Sequence, residues 1–322
     1  MKVSVIIPVL NAQGTFMRFL ASLKEQNFNQ EEVEYLFIDS CKGGTKVIIE
    51  TTAAVANYRV IEESVKNNAE AYNLGIKEAQ GEIIILMNTQ CSFPEHYITN
   101  CVKALEAKQG NYIGAYPLNE GTNDFGKIAA KLLSSRFGVG NKELASMAES
   151  KEVDYVYLGC FYKEYINEIG GFNPDLFMNE EKELSYRIKQ AGGKVFLSND
   201  LHYITYPAKT LNELCKYAET KGKWNVITSK YIPHFMDLHR FLPLVVFITV
   251  AGCFILGCIN TTFWLTLLLI IALYFSLAMV FASREVDNLQ DGVRLTFLFP
   301  LFHYWYGYGT FKGLLCKKYM IV

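Results

Sequence analysis

Two long apolar runs, Leu242 to Cys258 and Phe263 to Ala282, follow one another across a short connection centred on Asn260-Thr261-Thr262. The second reaches about 20 residues, enough to cross a bilayer, and the first is near the lower limit. So short a connection makes them an antiparallel hairpin. Lys and Arg residues precede the first run, and Arg284 and Arg294 follow the second, so the positive-inside rule places both flanks in the cytoplasm. A third apolar stretch, 295–315, is aromatic-rich and interrupted by Pro300, Gly307, Gly309 and Gly313. It reads as interfacial or re-entrant, with a full span as the alternative; a full span would carry Lys317-Lys318 outside, against the charge rule. Residues 211–241 read as a basic amphipathic segment, with Lys216, Lys221, Lys223, Lys230 and Arg240, suited to an anionic membrane surface.

The apolar excess, 51% of 322 residues, is concentrated in this tail. The preceding part mixes charged and apolar residues as globular domains do, and the chain divides into a domain over 1–210, the surface segment 211–241 and a membrane region over 242–322. A formal net charge of −1 gives no basic bias towards nucleic acid. The eight cysteines form no C-x-x-C pair and have no histidines clustered with them, so they read as buried small side chains or free thiols. Met1-Lys2 leads straight into Val3–Ile7 and Pro8, too short for a signal-peptide core. The expected location is therefore the cell inner membrane, with the first domain in the cytoplasm.

Short β-branched runs punctuated by turns give strands at Val3–Ile7, Tyr35–Ile38, Tyr58–Ile61 and Glu82–Met87. Helical spacing places helices over Thr15–Gln26, from Gly44 to about Ala56 and over Ala69–Ala79, with Pro94 opening the next. Strands and helices alternating at this spacing predict right-handed βαβ units, hence an α/β fold with a mostly parallel, Rossmann-like sheet and flanking helices. Ligands of such sheets bind beyond the carboxyl ends of the strands. Pro8 to Asn11, Asp39 to Gly44 and Asn88 to Gln90 are therefore expected to line one rim. Neither G-x-G-x-x-G after the first strand nor G-x-x-x-x-G-K-[ST] is present, so a glycine loop cradling phosphate is not the mechanism.

Taken in order, Val3-Ser4-Val5-Ile6-Ile7-Pro8-Val9-Leu10-Asn11, Ala71-Tyr72-Asn73-Leu74-Gly75 and Gly81-Glu82 resemble glycosyltransferase family 2 and its GT-A fold. Phe137-Gly138-Val139-Gly140, Asn179 through Arg187, Tyr206-Pro207-Ala208 and Tyr306-Gly307-Tyr308-Gly309 are similar to the membrane-associated enzymes of succinoglycan and other exopolysaccharide synthesis. The resemblance implies transfer of a sugar, with inversion, from a nucleoside-diphosphate sugar, most often a UDP-sugar, to a lipid-linked or growing saccharide. A partner glycosyltransferase and membrane lipid are the implied partners. Such chemistry needs a carboxylate to accept the proton of the attacking hydroxyl. It also needs positive charge on the leaving diphosphate, commonly Mn2+ or Mg2+ held by an Asp-x-Asp motif.

Carried over position by position, the resemblance makes Glu181 the catalytic base, one methylene longer than the family's aspartate, with Glu180 beside it towards donor and acceptor. Pro8, Leu10, Asn11, Asp39, Asn73 and Asn88 become nucleotide contacts. Asn88-Thr89-Gln90 stands where the Asp-x-Asp motif belongs, so Asn88 and Gln90 are the metal candidates although both carboxylates are missing. Lys223 and Trp224 fall where relatives place residues that cover donor or acceptor. Each role has a structural alternative. Asp39 could cap the turn that contains Gly43-Gly44, Glu180, Glu181 and Glu183 could be an acidic first turn favoured by the helix dipole, and Lys221, Lys223 and Trp224 could be a membrane-surface face. Arg187 is expected to pair with Glu183 at four-residue spacing. Departures at Ala12, Asn88, Gln90 and Glu181 together leave a second reading open, a catalytically impaired scaffold or binding subunit of a membrane polysaccharide assembly.

Overall fold

A computed structural model describes residues 2–10, 14–40, 44–52, 54–107, 109–138, 149–236 and 238–316. Asn11, Ala12, Gly43, Val139, Gly140 and Lys317-Lys318, all used above, lie outside the described residues. The chain divides into two compact units, one of Met1–Leu118 with Glu143–Thr205 and one of Asn119–Lys142 with Tyr206–Val322.

The first unit is built on one sheet. Its parallel half comprises β1 (Val3–Val9), β2 (Val33–Asp39), β3 (Tyr58–Glu62) and β4 (Ile83–Leu86), linked through the helices α1 (Phe16–Lys24), α2 (Thr45–Thr52) and α3 (Asn68–Glu78). β1 is central here: Ile6 lies opposite Leu36 of β2 on one side and Leu86 of β4 on the other. All seven residues of β1 and of β2 are buried, which is why these strands read as continuous apolar runs. Ser4, Glu34 and Asp39 are the polar exceptions, and Glu34 Oε1 accepts the Ser4 hydroxyl at 2.5 Å and the Gln80 N–H at 2.6 Å. Gly81 N–H in turn donates to Ser4 Oγ at 2.8 Å. A Cβ on Gly81 would stand 2.6 Å from the Ser4 nitrogen, so only glycine lets the α3–β4 turn come this close.

The sheet does not continue in parallel. Beyond β4 come β8 (Tyr157–Tyr162), β6 (Tyr112–Asn119), β9 (Val195–Thr205) and β5 (Cys91–Ser92), with β7 (Lys151–Glu152) also on β9. The β4–β8, β6–β8, β5–β9 and β7–β9 pairs are antiparallel, so the sheet is mixed, parallel on the β3 side and antiparallel on the other. Between Ile113 and Ala115 the β6–β8 register shifts. α4 (Tyr97–Glu106), α6 (Lys163–Ile169) and α7 (Glu180–Gln190) complete the unit. α4 begins three residues after Pro94, whose carbonyl receives the Tyr97 N–H in a preceding turn.

In the second unit, α5 (Asp124–Ser134) joins α8 (Leu211–Thr228), α9 (Leu238–Gly257), α10 (Thr262–Glu285) and α11 (Leu289–Leu315). Ile128, Ala129 and Leu132 of α5 share a core with Leu214 and Ala218 of α8 and with Leu295, Phe299 and Phe302 of α11. His239–Gly257 and Thr262–Glu285 are long and apolar enough to cross a membrane, and only 17% of each apolar window is buried. Large apolar side chains such as Ile255, Leu265, Leu269 and Leu273 are exposed along them, which a soluble protein's core helix would not allow.

Over 295–315, expected to be interfacial or re-entrant, α11 is one continuous helix through Pro300. Its glycines serve contact rather than interruption. A Cβ on Gly309 would lie 1.9 Å from the Glu219 carbonyl oxygen of α8, and one on Gly222 of α8 would lie 2.1 Å from the Tyr306 carbonyl oxygen. The two backbones therefore approach as closely as glycine permits. Asn225 donates to the Tyr306 hydroxyl at 2.7 Å across this seam, and Lys312 pairs with Glu219 at 2.6 Å.

Candidate active site

At the carboxyl end of β4 a cavity of about 170 Å3 is lined by Asn68 and Tyr72 of α3, Asn88, Gln90 and Cys91 after β4, Leu158 of β8, Glu180 and Glu181 of α7, and Tyr203 and Thr205 of β9. Pockets that enclose whole drug-sized ligands run to about 300–1,000 Å3, so this cavity suits one end of a ligand. It unites the two features singled out in the sequence, the paired glutamates and the Asn88–Gln90 tripeptide, which are some ninety positions apart in the chain.

α7 starts abruptly. Asn179 sits in the left-handed region at φ 66°, and Glu180 and Glu181 are the first two residues of the helix. They are not a solvated acidic turn, since each is only 7% exposed. Glu181 Oε1 accepts the Leu158 N–H at 2.6 Å and the Tyr112 hydroxyl at 3.2 Å. Burial, then the charge of Glu180, push the Glu181 carboxyl up to about 8, against the pull of the Leu158 and Tyr112 donors and of Lys182. Burial also raises Glu180, opposed by hydrogen bonds from its own backbone and from Asn68 and by Lys182. The Lys182 ammonium lies over the Tyr155 ring, 4.6 Å from its centroid, and 5.6 Å from that of Tyr157. Burial pushes the Cys91 thiol up to about 12, so it stays protonated. Glu183 is the structural member of the trio: Arg187 Nε reaches its Oε1 at 2.7 Å, as the spacing predicts, and also grips the Ile169 and Gly171 carbonyls.

A raised carboxyl makes folding stability fall as pH rises. Between the ordinary value of 4.5 and about 8, folded Glu181 holds a proton that the unfolded chain has released. The stabilisation is complete below 4.5 and is lost as pH climbs through about 8. The melting temperature of the detergent-purified protein should therefore drop across this window. Glu181→Gln should flatten the drop, and parallel curves for the two proteins would contradict the assignment.

The remaining sequence candidates divide. Pro8 is buried in β1 opposite Ile38, Leu10 follows it half-buried, and Asp39 ends β2 fully buried. Thr89 Oγ1 donates to the Pro8 carbonyl at 3.3 Å, which ties the loop after β4 to the end of β1. Asn73, expected as a nucleotide contact, also braces the backbone at Phe172. Its Nδ2 donates to the Phe172 carbonyl at 2.8 Å and its Oδ1 accepts the Phe172 N–H at 2.7 Å, so both ends of the amide are committed. Lys223 and Trp224 lie half-buried on α8, in the second unit.

Asn88 and Gln90 make a poor cation site. Hard cations favour charged oxygens, both side chains are neutral amides, and Asn88 Oδ1 already accepts the Gln90 N–H at 2.8 Å. Among the described residues no group of three His, Cys, Asp or Glu side chains is placed to hold a metal ion.

Tyr112, Leu158 and Tyr203 were missed as site residues. Each comes from the antiparallel half of the sheet and carries no local signal. Tyr72 stands inside a motif quoted for its neighbour Asn73, and that was the one available hint.

Parallel strands ending at a cavity that holds a buried carboxylate pair fit the GT-A type of glycosyltransferase fold. The profile described as "Glycosyl transferase family 2" matches residues 4–167, just over half of the chain, and the chain belongs to glycosyltransferase family 2. It is 24% identical over 227 residues to glycosyltransferase AglE of Haloferax volcanii, an alignment that covers 70% of this chain and 73% of that protein. It is 23% identical over 194 residues to the succinoglycan biosynthesis protein ExoA of Rhizobium meliloti, covering 59% of this chain and 56% of that one. Among solved structures, the mannosyltransferase PcManGT of Pyrobaculum calidifontis, in complex with GDP-Man and Mn2+, superposes with a TM-score of 0.60 at 16% identity, over 98% of this chain and 88% of the other. TarS 1-349 of S. aureus, in complex with UDP-GlcNAc, superposes with a TM-score of 0.51 at 14% identity, over 97% and 92% of the two chains. At these identities the superpositions establish the fold.

Proposed function

We propose that this chain is an inverting glycosyltransferase that moves a sugar from a nucleoside-diphosphate sugar, a UDP-sugar in the first instance, to a lipid-linked or growing saccharide at the cytoplasmic face of the inner membrane, where α9 and α10 anchor it. The observation that carries this reading is the cavity that brings Glu181 to the carboxyl end of β4. Glu181 takes the proton of the acceptor hydroxyl, the freed oxygen attacks the anomeric carbon, and the bond to the diphosphate breaks with its electron pair leaving on phosphate. Pro8, Leu10, Asn11, Asp39, Asn73 and Asn88 hold the nucleotide, Glu180 orients the sugars, and Lys223 with Trp224 covers donor or acceptor. The relatives support this: ExoA serves succinoglycan biosynthesis, and the superposed enzymes hold UDP-GlcNAc or GDP-Man.

Calorimetric titration of the detergent-purified protein with uridine, guanosine and cytidine diphosphates, each with and without Mn2+, tests the donor site without knowledge of the acceptor. Selective binding of uridine diphosphate is expected, with little gain from Mn2+ because Asn88 and Gln90 are weak ligands. A large Mn2+ dependence would overturn the metal-poor reading. Failure of folded protein to bind any nucleotide would replace the enzyme by the scaffold.

A further inference from the structure

Glu181 belongs to α7, but both donors that hold its carboxylate come from strands far away in sequence. Leu158 of β8 has φ 41°, a left-handed conformation that costs a non-glycine residue on the order of 1–3 kcal/mol. It stands where the β6–β8 register shifts, and such bulges re-aim groups out of the ladder. Both of its peptide groups are taken by side chains: Glu181 Oε1 receives its N–H, and its carbonyl receives the Tyr97 hydroxyl. Tyr112, directly before the register shift, is fully buried and packs edge-on against Phe161 with ring centroids 5.5 Å apart. Its hydroxyl is the second donor to Glu181 Oε1. Neither bond reaches Oε2, and Glu181 lines the cavity.

We infer that Tyr112 and the bulged Leu158 peptide form a two-donor cradle that fixes Glu181 by one oxygen and presents the other, Oε2, to the acceptor hydroxyl. Tyr112 is thus a positioning residue for the reaction, and the inference rests on Glu181 being the base. The cradle answers the length of this side chain: a carboxylate one methylene further from the backbone is brought to a defined place by donors reaching it from β6 and β8. It also holds the carboxyl lower than burial and Glu180 alone would set it, since hydrogen bonds to the charged form favour it. The other titratable and charged groups around Glu181 are Glu180 and Lys182 of α7, Tyr72 of α3 and Cys91 of β5, while Cys160 of β8 faces Tyr112. Of these, Lys182 is the cation that works with the cradle, and Glu180 works against it.

The test is Tyr112→Phe, which deletes the hydroxyl and keeps the ring. Tyr97→Phe is the control, because it frees the Leu158 carbonyl, on the other peptide group of that residue, and leaves both donors to Glu181 in place. In the full-length protein in detergent, the carboxyl infrared band that vanishes in Glu181→Gln reports the Glu181 titration. In Tyr112→Phe its midpoint should move up by about one pH unit, while Tyr97→Phe stays with the wild type and uridine diphosphate affinity is unchanged in both. Release of nucleoside diphosphate from UDP-glucose, UDP-N-acetylglucosamine or GDP-mannose in membranes that carry the acceptor should fall about tenfold near neutral pH and recover in alkali. An unmoved midpoint, or equal shifts in both tyrosine variants, overturns the cradle. Wild-type release by Glu181→Gln overturns the base assignment instead, and does so whatever the titration shows.

Discussion

Replacing Glu181 with glutamine should lower sugar transfer by about 10^2–10^4-fold, the usual worth of a positioned general base, and leave nucleotide binding intact. The amide oxygen of glutamine can still accept the Leu158 N–H and the Tyr112 hydroxyl, so the cradle keeps both bonds and the fold is undisturbed. What is lost is the ability to take a proton. The pH dependence carries the same signature. With the carboxyl raised to about 8, the ionised base is the minor form at neutral pH, so wild-type kcat/KM should climb as pH rises through that value and then level. Glu180→Gln removes the like charge beside it and should move this limb to lower pH. Glu181→Asp restores the family's residue type yet should impair the enzyme, since its carboxylate is drawn back from donors that lie at 2.6 and 3.2 Å, and displacement by about 1 Å can cost a hundredfold. Full transfer activity in Glu181→Gln would remove the residue from the mechanism.

The parallel half of the sheet was legible because burial wrote it into the sequence. β1, β2 and β4 are buried along their whole length, so they read as largely apolar runs, Pro8 stands inside β1, and Gly81 marks the turn before β4. The antiparallel half was not. β6, β8 and β9 pair over long sequence separations and change register between Ile113 and Ala115. Burial runs in blocks along β6 and β8 and alternates roughly only along β9, and no short-range pattern marks their partners. The site divides along the same line. Glu180, Glu181 and Asn88 to Gln90 could be placed by resemblance because they stand on short segments of fixed spacing. A motif gives a position, however, not the direction of a side chain. Asn73 matched the family pattern and faces Phe172, whereas Tyr112 matched nothing and reaches Glu181. The neutral pair Asn88 and Gln90 was readable in full, since loss of charge is a property of residue type.

The glycines of α11 show the same limit from the other side. In a sequence Gly307, Gly309 and Gly313 look like breaks, because glycine weakens a helix by about 1 kcal/mol against alanine. In the structure two of them form Gly309-x-x-x-Gly313 on the face against α8, where the Glu219 and Lys223 carbonyls stand 1.9 and 2.8 Å from the positions a Cβ would take. Gly309→Ala should therefore be harmful despite its better helix propensity. Both atoms in the clash belong to or sit directly on backbone, so neither can rotate away, and the helices must part by more than 1 Å to restore ordinary contact at about 3.2 Å. That movement breaks the Asn225–Tyr306 hydrogen bond and the Lys312–Glu219 pair and loosens the apolar contacts on the same seam. Overpacking of this kind costs about 1–3 kcal/mol and sometimes more, and the lost buried hydrogen bond adds about 1 kcal/mol. Thermal unfolding in detergent should show a drop of several degrees for Gly309→Ala and a comparable one for Gly222→Ala. The double variant should fall by much less than the sum, because helices already pushed apart have room for the second methyl group. An unchanged melting temperature in Gly309→Ala, or strictly additive losses in the double variant, would mean that this seam is looser than glycine-to-carbonyl contact and that α8 and α11 are held together by their side chains alone.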